Sequence, residues 1–308
     1  MVILYRRQSS FSSRYNDSSI THTHVGNNRR STLDSVVLLK FDHNVFSTIS
    51  RGLTFEGFDK LRSPVLIKPN LCTIKDGTGH TVTDIEVVKA VVRLLLEEDE
   101  NLSIRIIESD SMSKYAQEVF DFFGYTNYCE LMQREGLDIA TVNLTKSPLT
   151  KIHFEGEYFK NPDLPDILTK PHFFISVATA KTHYLSYITG VLKNLFGVLP
   201  RKDMSVYHSR IHEVIADLAR ILKPDLNIVD ARVGVEDWNG PTTHQIGAFI
   251  IGEKPVSVDA VMTKVFQLNP NKVLHLVKLE GEEFGSINPI VTGLRVEDVS
   301  VQFSAPRD

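Results

Sequence analysis

Lysine, histidine and carboxylate side chains that could share one reaction recur in this sequence just after apolar, strand-like runs. Lys68 and Asn70 follow P-V-L-I, Asp110 lies in E-S-D-S after Ser103–Ile107, Lys181 and His183 open K-T-H-Y after His172–Val177, and Asp230 closes L-N-I-V-D. Ammonium groups hold carboxylates and phosphates, and an imidazole carries a proton near neutral pH. The set therefore points to chemistry on a small anion, with Lys181 and His183 as the catalytic pair and Lys68, Asn70 and Asp110 as binding residues. A single acid after a strand is more often a helix cap or a solvated turn. Repetition at several strand exits is what favours a site.

The densest stretch is K-T-H-Y-L-S-Y-I-T-G-V-L-K-N-L-F-G-V-L-P, Lys181 to Pro200. Lys193 and Asn194 interrupt an otherwise apolar helical pattern. On the plain reading Lys193 snorkels to solvent and Asn194 caps a turn. On the sharper reading Lys181, Lys193, Asn194 and backbone amides hold an anion. Downstream, His208 and His212 in H-S-R-I-H stand i, i+4, the spacing by which H-E-x-x-H helices present two imidazoles to a metal, although Ser209 stands where the motif has Glu. A divalent metal is one option there, with Asp230 as third ligand and His183 or Asp110 as alternatives. Paired surface histidines without metal are the other. The segment Val229–Pro241 carries Glu236 and Trp238 and reads as a structured loop or as a ligand wall contributed by Glu236. Asp259, in the first turns of a helix, has a dipole partner as its simplest role.

These residues need elements to position them. Strand-like runs at Ser35–Phe41, Pro64–Lys68, Ser103–Ile107, Asp138–Asn143, His172–Val177, Leu226–Asp230, Gly247–Ile251 and Val299–Phe303 alternate with helical patterns. The helices run from Thr83-Asp84 to Glu97 and over Ser113–Phe123, Ile188–Phe196, His208–Leu222 and Pro255–Gln267. Lys151–Phe159 alternates like a hairpin arm, and Ala231–Thr243 reads as a loop. The rhythm predicts an α/β fold with a mostly parallel sheet flanked by helices. Residues 1–34 read as a disordered tail rich in Ser, Asn, Arg and His, an organellar transit peptide being the minor alternative. Residues 35–303 form one α/β domain, with 145–170 as the boundary if it has two lobes.

The bulk composition removes several classes. With 308 residues, 42% hydrophobic and 23% charged, the chain can bury a substantial core. A formal net charge of −4 gives no basic field for nucleic acid or an anionic membrane. No apolar run approaches the roughly 20 residues that span a bilayer. Cys72 and Cys129 fit a reducing cytosol and are too few for the four thiolates that a cubane iron–sulfur cluster takes. The phosphate-loop, dinucleotide and nucleophile-elbow glycine motifs are absent from the sequence.

The order of motifs resembles one family, the domain of unknown function 362. It is carried by I-K-P-N (Ile67–Asn70), T-D-I-E-V-V-K-A (Thr83–Ala90), A-K-T-H (Ala180–His183), T-G-V-L-K-N-L-F-G-V-L-P (Thr189–Pro200), H-S-R-I-H, K-P-D-L-N-I-V-D (Lys223–Asp230) and P-V-S-V-D-A (Pro255–Ala260). The resemblance runs from about Val65 to Gly285. It implies no settled reaction. Many relatives carry a ferredoxin-type cysteine module that this chain lacks, so a redox partner bearing the cluster is an expectation of the resemblance. The arrangement is also similar to the N-terminal region of nickel-pincer lactate racemases, an analogy of fold. Two functions follow as expectations: an enzyme acting on a small carboxylate or phosphate metabolite, metal-assisted or not, and a non-catalytic ligand- or cofactor-binding accessory to an iron–sulfur protein.

Overall fold

The computed structural model describes residues 34–53 and 60–306. The tail expected over 1–34 lies outside them except for Asp34, whose carbonyl accepts from Ile290 N at 2.9 Å.

In chain order the elements are β1 (Ser35–Lys40), α1 (Val45–Leu53), β2 (Val65–Pro69), α2 (Ile85–Glu98), β3 (Ile104–Glu108), α3 (Ala116–Phe122), α4 (Tyr125–Arg134) and β4 (Ile139–Asn143). There follow β5 (Leu149–Lys151), β6 (Asp163–Pro165), β7 (Phe173–His183), β8 (Tyr187–Ile188), α5 (Gly190–Asn194), α6 (Ile211–Leu222), β9 (Leu226–Val235), β10 (Thr243–Gly252), α7 (Pro255–Val265), α8 (Leu274–Leu279) and β11 (Ile290–Gly293). Local chemistry explains several boundaries. Asp84 caps α2 by accepting from Glu86 N at 3.0 Å, and Pro255 opens α7, where a missing N–H costs nothing.

The main sheet has the order β11-β1-β10-β9-β7-β2-β3-β4, with β8 folded back on β7. Neighbours from β9 through β7, β2 and β3 to β4 are parallel, and β10 runs antiparallel to both β9 and β1. The fold is therefore α/β with a mostly parallel sheet. Alternation along the buried strands feeds two cores. Val65, Ile67, Phe173 and Ile175 pack against α1, α2, α3 and α4, whereas Leu66, Phe174 and Ala178 pack against α5, α6, α7 and α8.

Sheet order also fixes where a ligand can sit. From β2 the chain adds β3 and β4 toward one edge, then returns with β7 and β9 on the other side. The order reverses between β2 and β7, and the carboxyl ends of strands at such a switch point frame a crevice.

Several elements differ from expectation: the helix expected over Ile188–Phe196 is cut to Gly190–Asn194, with Ile188 paired in β8 and Leu195–Val198 in a 3₁₀ turn. The single helix expected over His208–Leu222 is a 3₁₀ segment, Met204–Arg210, followed by α6. Arg210 leaves helical geometry at φ −133° and ψ 39°, because the apolar stripe that α6 buries begins at Ile211. The loop expected over Ala231–Thr243 is mostly strand: β9 continues to Val235 because β10 supplies its hydrogen-bond partners. The strand expected at Val299–Phe303 is irregular chain, held by Val301 N on Val265 O, Phe303 N on Phe266 O and the Phe303 ring stacked on Phe266 at 4.1 Å.

Candidate functional site

The ends of β2, β3 and β7 place Lys68, Glu108 and Lys181 on neighbouring strands at the switch point. Lys68 Nζ lies 2.8 Å from Glu108 Oε2, and Lys114 Nζ lies 3.0 Å from Glu108 Oε1. All three side chains are buried. Burial lowers the Lys68 ammonium below the usual lysine range, and the Glu108 carboxylate partly restores it. The pair needs room from the chain after α5: a Cβ at Gly197 would stand 2.9 Å from Glu108 Oε1. Gly197 O accepts from Ser109 Oγ at 2.7 Å, tying that turn to the end of β3.

Lys181 is 1% exposed and, among the described residues, is held without a carboxylate. Its Nζ donates to Thr81 O at 2.6 Å, to Asn70 Oδ1 at 3.3 Å and to Trp238 O at 3.4 Å, with Cys72 Sγ at 3.5 Å. The β9–β10 turn thus supplies Trp238 as part of the wall. Asp237 N, donating to Thr182 Oγ1 at 2.7 Å, anchors it.

The T-G-V-L-K-N segment is fixed from below by a residue of another helix. Both Asp259 oxygens accept from the first amides of α5, Val191 N at 2.7 Å and Leu192 N at 3.0 Å. Burial pushes the Asp259 carboxyl up to about 7, against those two donors. Gly190 is required here, with φ +58° and no space for a Cβ, which would meet Asp259 Oδ1 at 2.2 Å. Asn194 then bridges to the sheet. Its Nδ2 donates to Lys68 O at 2.8 Å and Ser176 Oγ at 3.1 Å, and its Oδ1 accepts from Lys68 Nζ at 3.4 Å.

Lys193 ends on the cavity side of α5, 4.4 Å from the Phe196 ring centre. Burial and the neighbouring Lys181 bring its ammonium down to about 8. The hydroxyl of Thr189, 4% exposed and on the same wall, has no hydrogen-bond partner among the described residues.

His183 has a defined tautomer. Its Nδ1 accepts from Leu185 N at 3.1 Å and Ser186 N at 3.4 Å, so the ring proton is on Nε2. Burial first, then Lys193 and Lys181, drive its basicity down to about 2. It is a neutral N–H donor at physiological pH. His208, at the rim and stacked with Phe196 at 6.2 Å, is lowered by burial and Lys193, and among the described residues no backbone amide donates to its ring.

Lys68, Asn70, Lys181, His183, Lys193, Asn194 and His208 therefore line one cavity of about 280 Å³. Asp110, Glu236, His212 and Asp230 lie elsewhere. Asp110 caps α3 by accepting from Ala116 N at 2.8 Å. Glu236 accepts from His244 Nε2 at 3.1 Å and Ser304 N at 2.7 Å, fastening the C-terminal segment. His212 faces His275, Nδ1 to Nδ1 at 3.0 Å, and Asp230 pairs with Arg232 at 2.7 Å on a second cavity. His208, His212 and Asp230 are not assembled as a ligand set, and no cluster of three or more metal-ligating side chains occurs among the described residues. The two cysteines do not suit a cluster either. Cys129 is buried in α4 with its thiol pushed up to about 12, and Cys72 sits beside Lys181.

Lys114, Gly197 and Thr189 join the cavity wall without having been expected there, and Glu108 rather than Asp110 of E-S-D-S lines it. Only Gly197 carried a signal, as a glycine one turn past Lys193 where a helix stop was the simpler explanation.

Formally the wall opposes four ammonium groups, Lys68, Lys114, Lys181 and Lys193, to the single carboxylate of Glu108. Uncompensated charge in a low-dielectric site is costly. Among the described residues no helix is long and apolar enough to cross a membrane. The chain is 27% identical over 224 residues to the thylakoid-associated protein sll1697 of Synechocystis, covering 69% of this chain and 66% of that relative, so it spans just under two thirds of the relative's length. Residues 65–264, more than half of the sequence and all of the strands that build the cavity, match the family described as Domain of unknown function (DUF362), and the chain belongs to that family.

Proposed function

We propose that the cavity is the active site of an enzyme acting on a small organic anion, a carboxylate or phosphate metabolite. The observation that carries this reading is the excess of buried ammonium charge on a wall whose Thr189 hydroxyl is unpartnered. Lys181 and Lys193, which make no ion pair among the described residues, face the anion. Lys68 and Lys114 sit behind them, half neutralised by Glu108. His183 offers Nε2–H to a substrate oxygen on which negative charge develops, and a neutral imidazole performs that role without a proton of its own to lose first. His208 moves the proton. The volume suits a metabolite below the roughly 300–1,000 Å³ of typical drug-sized pockets.

A purely binding accessory, the second expectation from the sequence, requires no shifted acid–base groups. The lowered basicities of Lys193 and His183 weigh toward catalysis. A reducing compartment, the cytosol, suits the two free thiols.

Isothermal titration of the full chain with oxalate, glyoxylate and inorganic phosphate tests the reading. Saturable binding of at least one, weakened at least tenfold in Lys181→Met, is expected. Absence of binding, or equal affinity in the variant, overturns it.

A further inference from the structure

Of the four cavity lysines, three have their N–H groups committed. Lys68 and Lys114 are ion-paired to Glu108, and Lys181 is held by the Thr81 and Trp238 carbonyls. Lys193 Nζ has neither an ion pair nor a hydrogen-bond acceptor among the described residues, and the Phe196 ring lies 4.4 Å from it. An ammonium intended only to bind an anion gains from a second shell that fixes its direction. An amine that must attack gains from having none. Resting on the reading of the cavity as an anion site, we propose that Lys193 is a nucleophile that forms a Schiff base with an anionic aldehyde or 2-oxo acid.

The geometry supports each part of that chemistry. Phe196 gives the amine an apolar side, and the charges of Lys181 and Lys68 disfavour its protonation, so that a useful fraction is neutral near physiological pH. Lys181 binds the substrate carboxylate beside the carbonyl. The Lys193 lone pair attacks the carbonyl carbon, and the C=O pair moves onto oxygen, where His183 Nε2–H donates a hydrogen bond. His208 carries one proton from the new ammonium nitrogen to the alkoxide, giving the carbinolamine, and then the remaining nitrogen proton to its hydroxyl. That oxygen leaves as water and the C=N bond forms. Amine plus carbonyl gives imine plus water, with no oxidant or reductant. The resulting imine, once protonated to the iminium, accepts the electron pair of a bond broken next to it.

Reductive trapping tests this directly. The full chain is incubated with glyoxylate and sodium cyanoborohydride, digested, and mapped by tandem mass spectrometry. A carboxymethyl adduct concentrated on Lys193 is expected. Its yield should rise about tenfold per pH unit below about 8, where the neutral amine fraction is growing, and level off above. In Lys193→Arg the adduct should vanish, while surface Lys170→Arg keeps it. An adduct on Lys68, Lys114 or Lys181 instead, or spread over exposed lysines alone, overturns the assignment. Peptide mapping of the wild-type chain decides this even if Lys193→Arg fails to fold. Oxalate, which has no reactive carbonyl, separates the two proposals. Oxalate binding without a Lys193 adduct leaves the anion site standing and removes the nucleophile, whereas neither binding nor adduct removes both.

Discussion

Gly197 and Lys68 approach so closely that a Cβ on the glycine would stand 2.7 Å from Lys68 Cε and 2.8 Å from its Nζ. The turn after α5 and the end of β2 are therefore built as one unit, and the smallest side-chain addition has nowhere to go except through the Lys68–Glu108 pair. Gly197→Ala should cost about 1–3 kcal/mol of stability, the usual range for overpacking. Oxalate binding should weaken with it. Urea unfolding and titration of the variant check both; a variant with unchanged midpoint and affinity would show that the packing is looser than described.

Glu108 is the single carboxylate between two buried ammonium groups, at 2.8 Å from Lys68 and 3.0 Å from Lys114. Glu108→Gln leaves both without a counter-charge and should destabilise the chain by about 3–5 kcal/mol. A bound anion compensates the same charge. Saturating oxalate should therefore raise the melting temperature of Glu108→Gln by more than it raises that of wild type.

The first turn of α5 depends on Asp259, which lies on α7 and reaches Val191 N and Leu192 N. Asp259→Asn replaces an acceptor pair by one acceptor and one donor, and should cost about 1–3 kcal/mol. Because Lys193 and Asn194 ride on that helix, affinity for oxalate should fall as well. Loss of stability with full affinity would mean that α5 holds its position without the cap.

His183, His212 and His275 all have native basicities below the ordinary histidine value of 6.5, in each case with burial as the leading cause. Below pH 6.5 the unfolded chain takes up protons on these rings that the native state refuses, and the three together outweigh the opposite contribution of Asp259, which takes up its proton in the native state first, so stability falls as pH drops through that region. The slope is about 1.4 kcal/mol per pH unit for each histidine fully affected. Urea midpoints at pH 7.0 and 5.5 measure it, and His275→Leu should flatten the dependence. A wild-type midpoint that does not fall over this interval would contradict the buried, neutral state of these rings.

Much of the frame was legible because its signals are local. Alternation and apolar runs marked β1 to β4, β7, β9 and β10, and Asp84 announced α2 through its capping chemistry. Residues at strand exits were found for the same reason: Lys68, Asn70, Lys181 and His183 stand at the carboxyl ends of β2 and β7, and the fold brings those strands together. The i, i+4 rule failed for His208 and His212 because it presumes an unbroken helix, and Arg210 breaks it. Asp110 and Glu236 have the right residue type at the right place in the chain. Their carboxylates are spent on Ala116 N and on Ser304 N, contacts set by the path of loops rather than by spacing. Asp259 has its effect on a helix sixty-odd residues upstream, a distance no periodicity reports.

Trp238, the chain's single tryptophan, lines the cavity and accepts from Lys181 through its carbonyl. Its fluorescence therefore reads the proposed anion site most directly. Titration with oxalate at pH 7 should give a saturable change that Lys181→Met removes. Apparent affinity should decline as pH rises through about 8, where the Lys193 ammonium loses its proton. No change on titration, or a change that persists in Lys181→Met and ignores pH, would contradict a site built to hold anions.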